Sequence, residues 1–540
     1  MTLRFAIGSL LLVGAVAGCT RLGPYRTHTI VSGPTGLTYA VADCTAGRSG
    51  DKACERDVEG GPGTYAIQRR EYRYQSRDGA MRTGVYHMAF VEFDDQGWFH
   101  DRRQMEALFM LLQRLEENQR HVLLLVYVHG WKHNASACDD NVVCFSRLVE
   151  RMDILERHLE DAGSSDAPER HVVGVYVGWR GLSLRFPKNM TFWTRKDTAA
   201  RVGRGGVKEL LTRLNDYRRA RNPLRDETKT QLAIAGHSFG GLVVYSALSH
   251  ALTERAVEVV RTGDVNRYAT AASFGDLVVL VNPAFEGSLY EPLYNVAVNR
   301  CYPSVQRPAL MVVTSEGDDA TGVAFPLGRR INTLFESAAS KEQGRSARQT
   351  VGHDPRYETH RLEWRDPEQA KQRSSKQEER APQDRECGCP YLDPTETFKW
   401  WQFAYPIPLV ARPKTATERE RWTPPPVSAV VRDGRRQYDV YGDDVMLTGD
   451  LRYSANYPYL VVKTDAKIIA DHNAIYSEPF VRFVHAFFLL HIANRRPFEA
   501  DRCYRDFENC RPGSGIPCER SCQLANGNPC TFHHTPTPRE

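Results

Sequence analysis

Gly236, His237, Ser238, Phe239 and Gly240 form a G-x-S-x-G pentapeptide, a pattern in which a serine hydroxyl is lifted out of a sharp turn to act as a nucleophile. Context gives it weight, because the apolar run 232–235 reads as a strand directly before it and 242–251 as a helix directly after it. At a strand-to-helix turn the chain passes close to its neighbours, so the flanking residues must be small, and Gly236, Gly240 and Gly241 meet that need. The hydroxyl then sits at a helix N-terminus, which favours developing negative charge.

A serine that attacks a carbonyl needs donors for the oxygen that becomes negative, a base for its own proton and a carboxylate behind the base. The apolar run 122–128 reads as an earlier buried strand ending in His129, Gly130 and Trp131. By analogy with hydrolases carrying His-Gly-x at this place, the backbone N–H groups of Trp131 and Phe239 form the oxyanion hole. Lys132 and His133 follow, and their type alone assigns them no role. For the acid, strand 310–314 runs into Ser315, Glu316, Gly317, Asp318 and Asp319. Asp318 is the first choice, Asp319 the second and Glu316 the third, an unused aspartate being a favoured turn residue. Strand 277–281 ends in Asn282 and Pro283 with no carboxylate before Glu286, which argues against an acid there. For the base, His472 lies between Asp471 and Asn473, where the last strand is expected to end before a closing helix. His353 and His360 also follow Asp318 but sit in irregular chain, and His485 falls inside an amphipathic stretch.

These residues need a scaffold that brings distant strands to one rim. Residues 65–74 and 84–93 have strand-like spacing around a polar turn with Asp78 and Gly79, an opening antiparallel pair. Met105, Leu108, Phe109, Leu112 and Leu115 recur at the spacing of an amphipathic helix. Unbroken apolar runs at 122–128, 172–177, 232–235, 277–281 and 310–314 are interleaved with helical stretches near 142–159 and 197–217. Strands without polar alternation, separated by helices, are what a parallel sheet covered on both faces requires. A strand over 459–469 and a helix over 479–490 complete the pattern. Between 322 and 454 the rhythm breaks down, and 365–386 is so charged and poor in apolar residues that it reads as a disordered loop. Phe398, Trp400, Trp401, Phe403 and Tyr405 then read as a lid over 398–410, or as a cluster packed on the sheet. The expected organisation is a signal at 1–18, a tether at 19–60, an α/β domain at 61–321 and 455–496, an insertion at 322–454 before the last strand, and a Cys-rich, disulfide-stapled tail at 497–540.

The run Val128, His129, Gly130, Trp131, Lys132, His133, Asn134, Ala135, the Gly-His-Ser-Phe-Gly-Gly of 236–241 and the late His472-Asn473 resemble the α/β-hydrolase superfamily, and within it a group of bacterial lipoprotein hydrolases of esterase or lipase-like type. The resemblance spans about 65–494 without the charged insertion. It implies an α/β-hydrolase fold, with a mostly parallel central sheet and helices on both faces. It also implies an acyl-enzyme on Ser238 with His472 as base and Asp318 as orienting acid, and a small-molecule or lipid ester as substrate, with no metal or organic cofactor. A thioesterase, peptidase or acyltransferase would use the same triad, and a binding lipoprotein would keep the fold without the chemistry.

Arg4 precedes an apolar run, 5–17, too short to span a bilayer as a permanent helix, the shape of a secretory signal peptide. It ends in Val16, Ala17, Gly18 and Cys19, which resembles a bacterial lipobox and implies a lipid on Cys19 and a membrane-anchored, otherwise soluble protein. Thr20 in place of Asp points to the outer membrane, facing the periplasm. Of 13 cysteines, setting Cys19 aside leaves an even number suited to pairing in an oxidising compartment. Cys44 with Cys54, and Cys138 with Cys144, are near enough to close small loops, whereas Cys518, Cys522 and Cys530 with His533 or His534 are too irregularly spaced for zinc to be preferred over bridges. The formal charge of +5, of which residues 1–18 hold only Arg4, is intermixed with acids and points to no nucleic-acid partner. Gly203, Arg204, Gly205 and Gly206 lack the lysine and hydroxyl of a phosphate loop and read as a flexible helix start.

Overall fold

Apolar runs without polar alternation have to bury both faces, and here they do so in the middle of a 13-stranded sheet. The computed structural model describes residues 21–34, 36–45, 52–76, 78–161, 170–182, 192–222, 229–258, 270–298, 302, 306–365, 389, 427, 429–439, 441, 444–493, 522–523 and 529–530. A hairpin of β1 (Ile30–Gly33) and β2 (Gly36–Tyr39) comes first, followed by β3 (Val41–Thr45), β4 (Ile67–Gln75), β5 (Met81–Phe93) and helix α1 (Arg102–Glu117). Strand–helix alternation then sets in: β6 (His121–Val128), α2 (Asp140–Asp161), β7 (Arg170–Trp179), α3 (Phe192–Val202), α4 (Lys208–Arg221), β8 (Gln231–His237), α5 (Phe239–Glu258), β9 (Leu277–Val281), α6 (Gly287–Ala297) and β10 (Leu310–Ser315). After these come α7 (Phe325–Asn332), α8 (Lys341–Ser346), β11 (His360–Trp364), β12 (Val430–Arg432), β13 (Arg435–Tyr438), β14 (Val445–Asp450), β15 (Tyr459–Thr464) and α9 (Glu478–Phe487).

The sheet order is β12-β13-β14-β11-β15-β10-β9-β8-β6-β7-β5-β4-β3. From β11 across to β5 all neighbours are parallel, so β6, β8, β10 and β15 deliver their carboxyl ends to one rim. The chain moves outward from β6 to β7 on one side and from β8 to β9 and β10 on the other. The ends of β6 and β8 therefore flank the point where connections part, the place where open α/β sheets form their crevice.

Both faces are covered, as the unbroken runs require. In β6, Leu124, Val126 and Val128 join the layer that includes Leu108 and Leu111 of α1, Leu211 of α4 and Val243 of α5. Leu123, Leu125 and Tyr127 point the other way, to Phe145 and Val149 of α2 and Phe483 and Phe487 of α9. Each strand residue thus has an apolar partner layer whichever way it points.

Several expectations are corrected. The helix expected over 197–217 is two helices, α3 and α4, joined across a kink at Gly205 (φ −90°, ψ −133°), because Gly97 crosses there and its carbonyl accepts the Gly206 N–H at 2.7 Å. The tether at 19–60 belongs to the fold from about Tyr25 onward. Arg26 is buried, with its N–H donating to Glu92 at 2.8 Å, and β3 pairs with β4. The insertion at 322–454 supplies β11 to β14 to the central sheet. The last strand stops at Thr464 instead of running to His472, because Asp465 starts a turn in which its side chain accepts the Lys467 N–H (2.8 Å) and its carbonyl the Ile468 N–H (2.9 Å). Cys44 pairs with Cys54, but Cys144 pairs with Cys389 and not with Cys138. Helix α2 begins between the two candidates and turns Cys144 inward, while Cys138 is bonded elsewhere. Cys19, the stretch 366–386, the aromatic cluster at 398–405 and most of the tail lie outside the described residues. Among the described residues no helix is long and apolar enough to cross a membrane.

Burial depresses His87 and His129 to about 4 and His360 to about 3. In the unfolded chain a histidine takes up its proton near ~6.5. The stability that comes from burying these rings neutral is therefore full above that value and is lost as pH falls toward the folded values, at up to about 1.4 kcal/mol per pH unit for each ring. The urea midpoint is expected to fall steeply on acidification from about pH 7 to about pH 5; a flat midpoint would show that the rings charge without opposing the fold.

Candidate active site

Ser238 follows β8 with φ of 56°, left-handed backbone that a non-glycine residue keeps only when its surroundings hold it. The hold comes largely from the end of β9. The Ser238 N–H donates to the Val281 carbonyl at 3.0 Å, and the Ser238 carbonyl accepts from Ala284 N–H at 3.1 Å and Leu242 N–H at 3.3 Å. On the opposite side Gly240 passes so close to β6 that a Cβ there would lie 2.0 Å from the Val128 carbonyl oxygen.

His472 reaches the serine from the loop after β15. Its Nε2 is 2.7 Å from Ser238 Oγ and its Nδ1 is 2.9 Å from Asp318 Oδ1. An ionised carboxylate only accepts, so Nδ1 carries the proton and the Nε2 lone pair faces the serine hydroxyl, which donates to it. Asp318 also accepts from the Thr321 N–H at 3.1 Å and from the Thr321 hydroxyl. Burial alone raises the Asp318 carboxyl, but His472 and Thr321 outweigh it and hold the group below its ordinary range. Asp319 is exposed, and Glu316 pairs with Arg361 at 3.1 Å; neither faces the imidazole.

The backbone of His472 is clamped as well. Its carbonyl accepts from His237 Nε2 at 2.8 Å and from Asn282 Nδ2 at 3.0 Å, while Asn282 Oδ1 accepts the Ser315 N–H at 3.0 Å. Residues next to Ser238 and after β9 thereby position His472. The sequence reading passed over both; the only signal was that an amide stands at the end of β9 where an acid was sought.

His353, a rival base by sequence, stands behind the acid. Its Nε2 is 3.2 Å from Thr321 Oγ1 and Lys463 Nζ is 2.8 Å from its Nδ1. An ammonium donates, so Nδ1 accepts, Nε2–H donates to Thr321, and the Thr321 hydroxyl is left to donate to Asp318. His360 is buried in β11 with its ring 2.8 Å from the Thr359 hydroxyl, and His485 is buried in α9. Neither approaches Ser238.

Beside the serine, the ring of His129 is locked in one tautomer. Its Nε2 accepts the Trp179 N–H at 3.0 Å, its Nδ1 donates to the Gly130 carbonyl at 2.9 Å, and the Trp179 indole N–H donates to the His129 carbonyl at 2.9 Å. This holds Gly130 against Ser238, where a Cβ would sit 2.9 Å from Ser238 Cβ. Trp131 comes next, with its ring 6.4 Å from that of Phe239. His133 is tied to Asp139 at 3.0 Å; burial opposes its charge, but Asp139 outweighs burial and raises it.

Aromatic packing continues from here into the core. Ring centroids are 5.1 Å apart for Trp131 and Phe192, 4.9 Å for Phe192 and Phe239, 6.4 Å for Phe192 and Phe325, and 5.9 Å for Trp193 and Phe325. Phe192 and Trp193 come from α3 and Phe325 from α7, elements in which the sequence pointed to no site residue. Among the described residues no group of three or more His, Cys, Asp or Glu is placed to hold a metal ion.

No protein-family model matches the chain, and no curated protein matches it in sequence. Among solved structures it has weak likenesses. The phospholipase PlaB from Legionella pneumophila aligns both in complex with thio-NAD (12% identity, 45% of this chain and 46% of that chain, TM-score 0.21) and without it (12%, 45% and 47%, TM-score 0.21). A prolyl endopeptidase aligns at 17% identity over 47% of this chain and 30% of that chain, with a TM-score of 0.16. Each alignment spans less than half the length of the protein matched.

Replacing Thr321 by valine keeps the volume but removes the hydroxyl between His353 and Asp318. The rate at which Ser238 reacts with a fluorophosphonate is expected to fall about tenfold, the equivalent of one charge-assisted hydrogen bond, with Thr321→Ser restoring most of it. Labelling of Thr321→Val at the wild-type rate would show that the hydroxyl does not support the acid.

Proposed function

We propose that this chain is a serine hydrolase of the α/β-hydrolase type. More particularly, it cleaves carboxylic esters through an acyl-enzyme on Ser238, with His472 as general base and Asp318 as the acid that orients it. The observation that carries the reading is the unbroken hydrogen-bonded line from Asp318 through His472 to Ser238, at 2.9 and 2.7 Å, drawn from the ends of three parallel strands in the chain order serine, acid, histidine.

In this reading Ser238 Oγ attacks the carbonyl carbon while its proton passes to His472 Nε2, and Asp318 stabilises the imidazolium that forms. The backbone N–H groups of Trp131 and Phe239 hold the negative oxygen of the tetrahedral intermediate. His472 then gives its proton to the departing alcohol oxygen, leaving the acyl group on Ser238. Water repeats the sequence, losing a proton to His472 as it attacks, and that proton returns to Ser238 Oγ when the carboxylic acid leaves. The partly exposed rings of Trp131 and Phe192 support an ester with an apolar acyl group. Export and a lipid on Cys19, with the protein held at the outer membrane facing the periplasm, belong to the same proposal. They are supported by the lipobox-like residues 16–19 and by the Cys44–Cys54 and Cys144–Cys389 bridges.

Fluorophosphonate should label the wild type and not Ser238→Ala, and Ser238→Ala or His472→Ala should lower hydrolysis of a butyryl ester by roughly a thousandfold or more. A folded wild type that takes no label would favour a binding protein of the same fold. Labelled protein that turns over thioesters or peptides but no oxygen esters would move the substrate class.

A further inference from the structure

The segment from Ala320 to Asn332 is helical and two-faced. Its inner face serves the site. Thr321 donates to Asp318, Phe325 packs under Phe192, a Cβ on Gly328 would lie 2.1 Å from the Trp193 ring, and Arg329 pairs with Glu286 at 2.9 Å. The outer face carries Val323, Leu327 and Ile331 at intervals of four, and the row continues past the helix end into Leu334 and Phe335. Val323, Leu327, Ile331 and Leu334 are 61–68% exposed, and Phe335 is fully exposed. Large apolar side chains scattered singly on a surface need no explanation, but a contiguous row at helical spacing marks a contact surface.

The surrounding charge narrows the partner. Arg330 is exposed on the same helix, and Lys341 and Arg348 follow, also exposed, with Asp319 as the exposed acid at the start of the segment; Arg345 pairs with Asp354 at 3.4 Å, Glu342 with Arg356 at 3.8 Å and Glu336 with Arg329 at 4.0 Å. Arg348 is anchored at the helix end, its Nε donating to the Thr333 hydroxyl at 3.3 Å. An apolar row bordered by an excess of cations matches the interface of an anionic bilayer, in which apolar side chains enter the acyl boundary and cations meet the headgroups.

We propose that Val323, Leu327, Ile331, Leu334 and Phe335 insert into the surface of an anionic lipid bilayer. The bilayer is then met by the same short helical segment that packs Phe325 under Phe192 and gives the Thr321 hydroxyl to Asp318, so Ser238 faces acyl chains delivered from lipid. The substrate half of this statement rests on the ester-hydrolase reading, whereas the docking half does not.

Hydroxyl-radical footprinting of the full chain carrying Ser238→Ala tests the docking without any need for catalysis. In buffer, Leu334 and Phe335 should oxidise quickly. Vesicles of phosphatidylcholine with phosphatidylglycerol should slow that oxidation about threefold or more, pure phosphatidylcholine vesicles should do little, and Leu327→Ser with Ile331→Ser should weaken the protection of Phe335. The proposal is overturned if neither vesicle slows oxidation or if both slow it equally. It is also overturned if oxidation is already slow in buffer: relief on dilution would put a second copy on the row, and no relief would put another part of the same chain there. With Ser238 intact, Leu327→Ser with Ile331→Ser should lower turnover of a long-chain ester in anionic vesicles roughly tenfold relative to a butyryl ester in solution. Protection of the row in a protein that hydrolyses no ester would keep the docking and reject the reading of the site.

Discussion

A serine with φ of 56° sits in a backbone region that costs roughly 1–2 kcal/mol for a residue with a Cβ, and much of the molecule is arranged to hold it there. The end of β9 takes its N–H and returns one to its carbonyl, while Gly240 allows β6 to approach from the other side. That one bent residue sits where the chain connections leave in opposite directions, and it turns the hydroxyl up at the point where a crevice forms. Remove the constraint and Oγ would lose its alignment with His472, however well the sheet packed.

The imidazole is held by the same device used twice. Its ring is oriented by Asp318 and its backbone by His237 and Asn282, so His472 is fixed both at its ring and along its chain. Asn282, itself left-handed at φ 46°, links the ends of β9 and β10 to the loop after β15. A histidine in a loop eight residues beyond its strand is thereby held at a 2.7 Å contact with a residue 234 positions earlier, a precision that a free loop would not give.

The parts of the site visible in sequence were those with a local signature. Ser238 was legible because small residues, a buried strand and a helix flank it, and Asp318 because it follows an apolar run. His472 was identified by its neighbours and chain order, but on the wrong premise: the strand was extended to it, when Asp465 ends the strand earlier. Asn282 and His353 act only through contacts across the fold, and no spacing along the chain announces such contacts. For the same reason the sequence offered Cys144 only a nearby loop with Cys138 and gave no sign of its partner 245 residues away. The strands β11 to β14 were hidden because their runs are short and mixed with polar residues, as antiparallel strands at the side of a sheet usually are.

Those four strands change what the sheet offers to other molecules. Without β11, β15 would be a terminal strand, and any chain that added itself to its open backbone would press on the loop that holds His472. With them in place, the open backbone among the described residues belongs to β12 on one side, next to Arg432 and Arg435, and to β3 on the other, stapled by Cys44–Cys54. Terminal strands are where strand addition and fibre growth begin. Joining by that route would therefore start at the outer margins, with the strands that lead to Ser238, Asp318 and His472 shielded in the interior of the sheet.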